Sequence, residues 1–119
     1  MITGYYCTNI FSEHAKELIE FYREILEIPF IKLMLTIQMG FILALMKIST
    51  ICIWDCKAFD APPTGYQSFV FQTKNLDSTV EWLKGKGLPL ADPVRYDRGT
   101  NELRLKDIDG NEIVIAEFV

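Results

Sequence analysis

The feature that most constrains the fold is an approximate repeat along the chain. Three pairs of segments match in the same order: 6–11 with 66–71, 28–30 with 88–90, and 51–55 with 113–117. The spacing drifts from 60 to 62 residues, which requires only small changes in loop length. Two copies are too few, and the period is too long, for a solenoid. We therefore expect a duplicated module whose two halves share a single core.

Length and composition indicate one globular domain. The chain has 119 residues, of which half are hydrophobic, and this is ample material for a core. Its net charge is −4 and it has no cluster of Arg or Lys. Because phosphate binding needs clustered positive charge, we do not expect nucleic acid as a partner.

The most apolar segment, residues 30–46, predicts buried strands and no membrane association. Polar residues and a glycine interrupt it, whereas a spanning helix needs about 20 mostly apolar residues. The N-terminus has neither the basic region nor the apolar run of a secretory signal. Three cysteines, Cys7, Cys52 and Cys56, form no disulfide-scaffold pattern. This favours the reducing cytoplasm.

Hydrophobic periodicity predicts the order βαβββ in the first half. A helix over residues 13–27 has one apolar face, and Ser12 precedes it as the expected N-cap. Pro29 ends this helix, because a residue before proline is driven out of the helical region. The predicted strands of this half are 4–10, 30–36, 40–47 and 50–55.

The second half repeats this order after a Pro-rich stretch at residues 61–65. Its helix is capped by Asn75 or Asp77, and an Asp-Gly turn over 107–111 predicts a hairpin between the last two strands. The predicted strands are 66–72, 92–97, 102–106 and 112–118. We expect modules at about 1–60 and 66–119 within a single domain, 1–119.

Two motifs carry a family resemblance. Residues 21–26 read Phe-Tyr-Arg-Glu-Ile-Leu, and residues 107–111 read Asp-Ile-Asp-Gly-Asn. With the duplicated βαβββ order, they resemble the vicinal oxygen chelate superfamily of glyoxalase I, bleomycin-resistance proteins, fosfomycin-resistance enzymes and extradiol dioxygenases. Ile108 replaces the proline of the family's turn. The resemblance covers essentially the whole chain and implies an α+β fold of two paired modules, a homodimer and a ligand cavity between modules.

The resemblance also implies where a metal would bind. Metal-dependent members have a His on the first strand and a Glu on the last strand of each module. Here the corresponding positions hold Cys7 and Cys52 in the first module, and Ser68 and Val114 in the second. Valine cannot ligate a metal, and an unactivated serine is a poor ligand. We therefore expect no metal centre and no cofactor.

The cysteines leave alternatives open. Cys7 and Cys52 could hold a soft metal, form a redox couple, or fill space as small buried residues. Cys56 follows the end of a strand, and we expect it to be partly exposed. His14, the only histidine, lies in the first turn of the predicted helix and is expected to be a surface residue.

Aromatic and basic residues are candidates for holding an organic ligand. Tyr5 and Trp54 suit a flat molecule, although aromatic residues also pack in cores and dimer interfaces. Arg104 suits a carboxylate or phosphate. Alternatively it is solvated, or it pairs with Glu102, which lies two residues away on the same strand face.

The sequence therefore predicts a metal-free protein like those of bleomycin resistance, which binds a small, partly aromatic molecule in the cavity between modules. The expected ligand-binding residues are Tyr5, Cys7, Cys52, Trp54, Ser68, Arg104 and Val114. The alternative is a metal-dependent lyase or dioxygenase of the glyoxalase I or extradiol type. Its atypical donors would be Glu102, Glu112, Glu117 or His14. Whether the protein is an enzyme stays open.

Overall fold

The computed structural model describes residues 1–3, 5, 7–33, 41–46, 49–96 and 99–118, and over residues 30–50 it describes the backbone only. The chain divides into two compact units, Met1–Gly65 and Tyr66–Val119. The division therefore falls at the end of the Pro-rich stretch. That both modules form a single domain stays a prediction.

The first unit has the predicted βαβββ order with one additional short helix. Its strands are β1 (Thr8–Ser12), β2 (Phe30–Leu33), β3 (Phe41–Met46) and β4 (Ser49–Asp55), and its helices are α1 (Ala15–Glu20) and α2 (Cys56–Phe59). The sheet order is β1-β4-β3-β2, in which β1 runs parallel to β4 and the other pairs are antiparallel. The sequence did not predict α2.

The second unit repeats this topology. Its elements are β5 (Ser68–Gln72), α3 (Leu76–Gly85), β6 (Val94–Tyr96), β7 (Thr100–Lys106) and β8 (Glu112–Phe118). The sheet order is β5-β8-β7-β6, and β5 runs parallel to β8. Both sheets therefore have the same connectivity, and the predicted α+β fold of two βαβββ modules is confirmed.

The first helix differs from its prediction at both ends. The predicted N-cap, Ser12, is the last residue of β1, and its Oγ accepts a hydrogen bond from the backbone N–H of His14 at 2.9 Å. This short turn directs the chain from strand to helix. After α1 the backbone continues as a π-helical segment, Phe21–Ile25. Glu27 has a left-handed φ of 52°, so the helix ends before it.

The helix of the second unit follows its predicted capping. Asn75 is the N-cap of α3, because its Oδ1 accepts the backbone N–H of Ser78 at 2.9 Å. Just beyond the helix, Gly87 has a φ of 83°, which glycine adopts without steric cost. β7 begins at Thr100, two residues before its prediction, because its pairing with β8 extends to Phe118.

The turn between β7 and β8 is held by buried polar groups. Asp107 Oδ1 accepts the backbone N–H groups of Asp109 and Asn111, each at 2.9 Å, and its Oδ2 accepts the side-chain amide of Asn111 at 2.8 Å. Asn111 Oδ1 accepts the backbone N–H of Gln67 at 2.8 Å. The predicted Asp-Gly hairpin is confirmed, with Gly110 at a φ of 83°.

Each unit buries its main helix against apolar residues. Leu18 of α1 and Ile53 of β4 are fully buried in the first unit, as are Leu83 of α3 and Leu103 of β7 in the second. Apolar burial of this kind is the main source of stability for helices that are too short to form alone. Within the described ranges, no helix is long and apolar enough to cross a membrane.

Candidate functional site

Hydrogen bonds at the helix N-termini show which face of each sheet lies beside its helix. In the first unit the Ser12 side chain holds the backbone just before α1. In the second unit Glu117 Oε2 accepts the backbone N–H of Leu76, the first residue of α3, at 2.5 Å. Side chains alternate along a strand, so the residues next to Ser12 and Glu117 point away from the helix. We call this side of each sheet the distal face.

The strand registers place the four expected ligand positions on the distal faces. Asn9 pairs with Cys52 in β1 and β4, and Val70 pairs with Val114 in β5 and β8. Cys7 comes two residues before Asn9, and Ser68 comes two residues before Val70. Each therefore lies on the same side of the sheet as the residue that it precedes. In each unit, the two expected ligand positions therefore lie on the same side of the sheet, and the arrangement is the same in both units. Cys52 and Val114 are 1% and 4% exposed.

On the distal face of the first unit, an amide lies between a thiol and an indole. Asn9 Oδ1 accepts hydrogen bonds from Trp54 Nε1 at 3.0 Å and from Cys7 Sγ at 3.5 Å. These bonds fix the orientation of the amide, because a carbonyl oxygen that accepts two donors has both lone pairs occupied. The structure therefore brings Cys7, Cys52 and Trp54 together around Asn9, which the sequence did not single out.

Burial changes the acidity of the inner thiol. Burial, followed by the hydrogen bond and charge of the neighbouring Cys7 thiol, raises the pKa of Cys52 from 9.0 to about 12. Cys52 is thus a neutral thiol at physiological pH. Cys7 is only partly buried and is the more accessible of the two.

A group of three aromatic rings borders this amide. The Phe59 ring meets the Trp54 ring edge-on at a centroid distance of 5.2 Å and the Phe11 ring edge-on at 6.2 Å. We call Phe11, Trp54 and Phe59 the aromatic cluster. Phe59 is 44% exposed, so the cluster presents aromatic surface to solvent.

The sequence interpretation missed Phe59, although a local signal was present. Asp55 ends β4 and caps α2, since its Oδ1 accepts the backbone N–H of Lys57 at 2.9 Å. Aspartate is a preferred N-cap, and it could have indicated a helical turn at this point. The same turn buries Cys56, which is 6% exposed, so the prediction of a partly exposed Cys56 is wrong.

Tyr5 lies outside the strands. It precedes β1, its side chain is 66% exposed, and its hydroxyl hydrogen-bonds with the hydroxyl of Thr8. Thr8 alternates with Asn9 and therefore belongs to the helix side of β1. The structure thus gives Tyr5 a position apart from Asn9 and the aromatic cluster.

The distal face of the second unit carries a chain of polar contacts. Ser68 Oγ donates to Glu112 Oε1 at 2.8 Å. Arg104 then donates to Glu112 Oε2 and to Glu102 Oε2, each at 3.1 Å. We call Ser68, Glu112, Arg104 and Glu102 the polar network. The pairing of Arg104 with Glu102, one of the alternatives left by the sequence, is confirmed.

The polar network stabilises its charged groups. The hydrogen bond from Ser68 and, after it, the charge and hydrogen bonds of Arg104 hold the pKa of Glu112 below its usual range. Hydrogen bonding to Glu102 and the charge of Glu112 raise the pKa of Arg104. Glu112 is thus ionised at neutral pH, and together with Glu102 it occupies the guanidinium that the sequence offered to an anionic ligand.

The chain resembles known proteins in its structure. No family model matches the chain, and no curated protein matches it at a significant level. A lactoylglutathione lyase from Agrobacterium tumefaciens is similar over 98% of this chain and 94% of its own, with a TM-score of 0.73 and 14% identity. An antibiotic-binding protein from Streptomyces sp. CB03234 is similar over 99% and 98%, with a TM-score of 0.73 and 17% identity.

A third solved structure carries the family name itself. It is a member of the glyoxalase/bleomycin resistance protein/dioxygenase superfamily from Sphaerobacter thermophilus. It matches over 98% of both chains with a TM-score of 0.71 and 18% identity. The chain has the glyoxalase/bleomycin-resistance/dioxygenase fold. The fold implied by the resemblance to the vicinal oxygen chelate superfamily is therefore confirmed.

The metal centre implied for this fold does not fit the residues present. Val114 has no donor atom, and the Ser68 hydroxyl donates its proton to Glu112. Among the residues whose placement is described, no three His, Cys, Asp or Glu side chains come together. Of the alternative donors, Glu117 holds the start of α3 and Glu112 belongs to the polar network. We therefore derive no chemical step through a metal at these four positions.

Proposed function

We propose that the protein binds a small, partly aromatic molecule, without a metal, at the distal face of its first unit. The observation that carries the proposal is the partly exposed aromatic cluster beside the fixed amide of Asn9. Aromatic side chains bury a large area of a flat ligand at little cost in rotamer entropy. A few polar groups among them fix its orientation.

The antibiotic-binding neighbour supports this class of function, because it has the same fold over nearly its whole length. The chemistry of the first unit supports it further. Its distal face offers rings, an amide and a neutral thiol, which suit contact with an organic molecule. The proposal also includes the homodimer and the cytoplasmic location that the sequence predicts.

The ligand charge is part of the proposal. The chain carries a net charge of −4, and Arg104 on the distal face of the second unit is already paired with two carboxylates. A flat cation is therefore favoured over a flat anion by long-range electrostatics. This preference weakens as salt is added, because exposed charges are screened.

The experiment compares proflavine, a flat cation, with anthraquinone-2-sulfonate, a flat anion. Binding is measured by calorimetry and by tryptophan fluorescence in a Trp82→Phe background, which leaves Trp54 as the only tryptophan. We expect micromolar binding of proflavine and weaker binding of the sulfonate. Trp54→Ala removes the ring that is hydrogen-bonded to Asn9 and is expected to weaken proflavine binding by at least about tenfold.

The matched control is Trp82→Ala. Trp82 is the other tryptophan of the chain, lies on α3 in the second unit and is 37% exposed. Its replacement is expected to leave proflavine affinity unchanged. If neither compound binds at micromolar concentration, or if Trp54→Ala binds proflavine as the wild type does, the proposal is wrong.

A further inference from the structure

Two thiols occupy neighbouring places on the distal face of the first unit. Cys52 is directly opposite Asn9 in the parallel pairing of β1 and β4. Cys7 comes two residues before Asn9, and its Sγ reaches the Asn9 side chain at 3.5 Å. Cys7 is therefore the diagonal neighbour of Cys52, across two adjacent strands and on the same side of the sheet.

We propose that Cys7 and Cys52 form a two-thiolate site for a soft metal ion, with Cu(I) as the ion that fits best. The site lies entirely within the first unit. It shares the distal face with the proposed site for a flat organic molecule but uses only the two thiols as ligands, and it stands whether or not that molecule binds. It also differs from the implied metal centre of the fold, because it needs no residue of the second unit.

The number and type of donors select the ion. In the described part of the chain, no third His, Cys, Asp or Glu joins the two thiols. Zn²⁺ in structural sites takes four ligands, so two sulfur donors leave it half coordinated. Cu(I) prefers soft sulfur ligands and is stable with two of them in a nearly linear arrangement.

The strand geometry favours a bridging metal over a disulfide. Adjacent strands are about 4.8 Å apart and two residues along a parallel strand span about 6.6 Å, so diagonal neighbours on parallel strands are about 8 Å apart between Cα atoms. A disulfide becomes strained when this distance exceeds about 7 Å, because its sulfur atoms must be bonded directly. A metal ion inserted between the sulfur atoms lengthens the bridge by two metal–sulfur bonds. The diagonal arrangement can therefore accept the ion with less movement of the backbone.

The binding step balances without an oxidant or reductant. Two thiols and one Cu⁺ give a dithiolate complex of charge −1 and two released protons. The S–H bonds of Cys7 and Cys52 break, two Cu–S bonds form, and the protons go to water. Cys52 is 1% exposed, so one side of the bound ion is shielded from solvent and from oxygen. Cys7 is more exposed and provides the route of entry.

The test is an anaerobic titration of the reduced protein with Cu(I), supplied as its acetonitrile complex, in competition with the chelator bicinchoninate. We expect one Cu(I) per chain and quenching of Trp54 fluorescence in the Trp82→Phe background. Cys7→Ser is expected to weaken binding by at least about a hundredfold, because one sulfur donor is lost. X-ray absorption at the copper edge is expected to show two sulfur neighbours.

The third cysteine supplies the matched control. Cys56→Ala keeps both proposed ligands and is expected to bind one Cu(I) with unchanged affinity, in protein whose circular dichroism matches the wild type. Cys7→Ser changes a partly exposed residue, so the conclusion does not depend on whether Cys52 variants fold. Equal Cu(I) uptake by Cys7→Ser and wild type would overturn the proposal. So would reduced wild-type protein that takes up no Cu(I) against the chelator.

Discussion

The two units have the same topology but different distal faces. In the first unit this face carries two thiols, an amide and the aromatic cluster, and in the second it carries the polar network. On the helix side the units are alike, since apolar residues such as Ile53 and Leu103 are fully buried in both. The two units are therefore alike on the helix side of the sheet and differ on the distal side.

The difference has a physical reason. Residues on the helix side must fill a closely packed space, so a change in size or polarity lowers stability directly. The distal faces include positions open to solvent, as the 64% exposure of Val70 illustrates, although Cys52 and Val114 on the same faces are buried. The distal faces are therefore where the two units can differ in chemistry. This is why we place the proposed binding functions there.

The prediction with the largest expected effect concerns the helix side of the two sheets, where the units are alike. Leu18→Ala in α1 and Leu83→Ala in α3 each remove a fully buried side chain. Each variant is expected to lose about 2–5 kcal/mol of unfolding free energy, from lost burial and the cavity left behind. Urea denaturation measures both. Val70→Ala, on the distal face, is the control and is expected to change stability by no more than about 0.5 kcal/mol.

Two outcomes would contradict this contrast between the helix side and the distal face. If Val70→Ala were as destabilising as the two leucine variants, the distal face of the second unit would be part of a core and not a variable surface. If only one leucine variant were destabilised, the two helix sides would not be equivalent.

The second prediction concerns the thiols of the first unit. The folded pKa of Cys52 is raised from 9.0 to about 12. A raised pKa means that the contribution of the neutral thiol to stability is complete below pH 9 and is lost as pH rises from 9 towards 12. We expect the unfolding free energy of the wild type to fall more steeply over this range than that of Cys52→Ala.

The alkylation rate of Cys52 is a second measure of the shift in its pKa. Three pKa units lower the thiolate fraction of Cys52 about a thousandfold near neutral pH, and only the thiolate reacts with iodoacetamide. We expect Cys7 to be alkylated much faster than Cys52 in the folded protein, as measured by mass spectrometry of peptides. Equal rates, or identical pH profiles of wild type and Cys52→Ala, would show that burial does not raise the pKa of Cys52.

The parts of the fold that could be predicted from sequence are those set by local patterns. Apolar periodicity and the Asn75 cap defined α3, and the Asp-Gly turn defined the hairpin of β7 and β8. The repeat supplied the equivalence of Cys7 with Ser68 and of Cys52 with Val114, because side-chain direction in a strand depends only on register.

The parts that could not be predicted depend on contacts distant in sequence or on very short elements. Ser68 and Glu112 are 44 residues apart and meet only because β5 pairs with β8. The helix α2 has four residues, too few to show an apolar period, and so Phe59 and the burial of Cys56 were missed. The π-helical segment after α1 has no composition that distinguishes it from an ordinary helix.

The smallest expected effect tests the polar network of the second unit. The lowered pKa of Glu112 arises first from the Ser68 hydrogen bond and then from Arg104. We therefore expect Ser68→Ala and Arg104→Met each to raise this pKa, as followed by NMR titration of the Glu112 carboxyl carbon. A lowered carboxyl pKa stabilises the fold above the unfolded pKa, and this contribution is lost as pH falls through the folded value.

The stability change itself should be small, because exposed ion pairs contribute little. Arg104→Met is expected to lower Tm by no more than about 4 °C at pH 7, with the difference from wild type shrinking below the Glu112 pKa. The matched control is Arg95→Met, which removes the exposed pair of Arg95 with Asp77 at 3.1 Å and leaves Glu112 untouched. If Ser68→Ala left the Glu112 titration unchanged, Ser68 would be an exposed serine like any other. The second distal face would then consist of an ordinary surface ion pair, and the contrast with the first unit would rest on its thiols and rings alone.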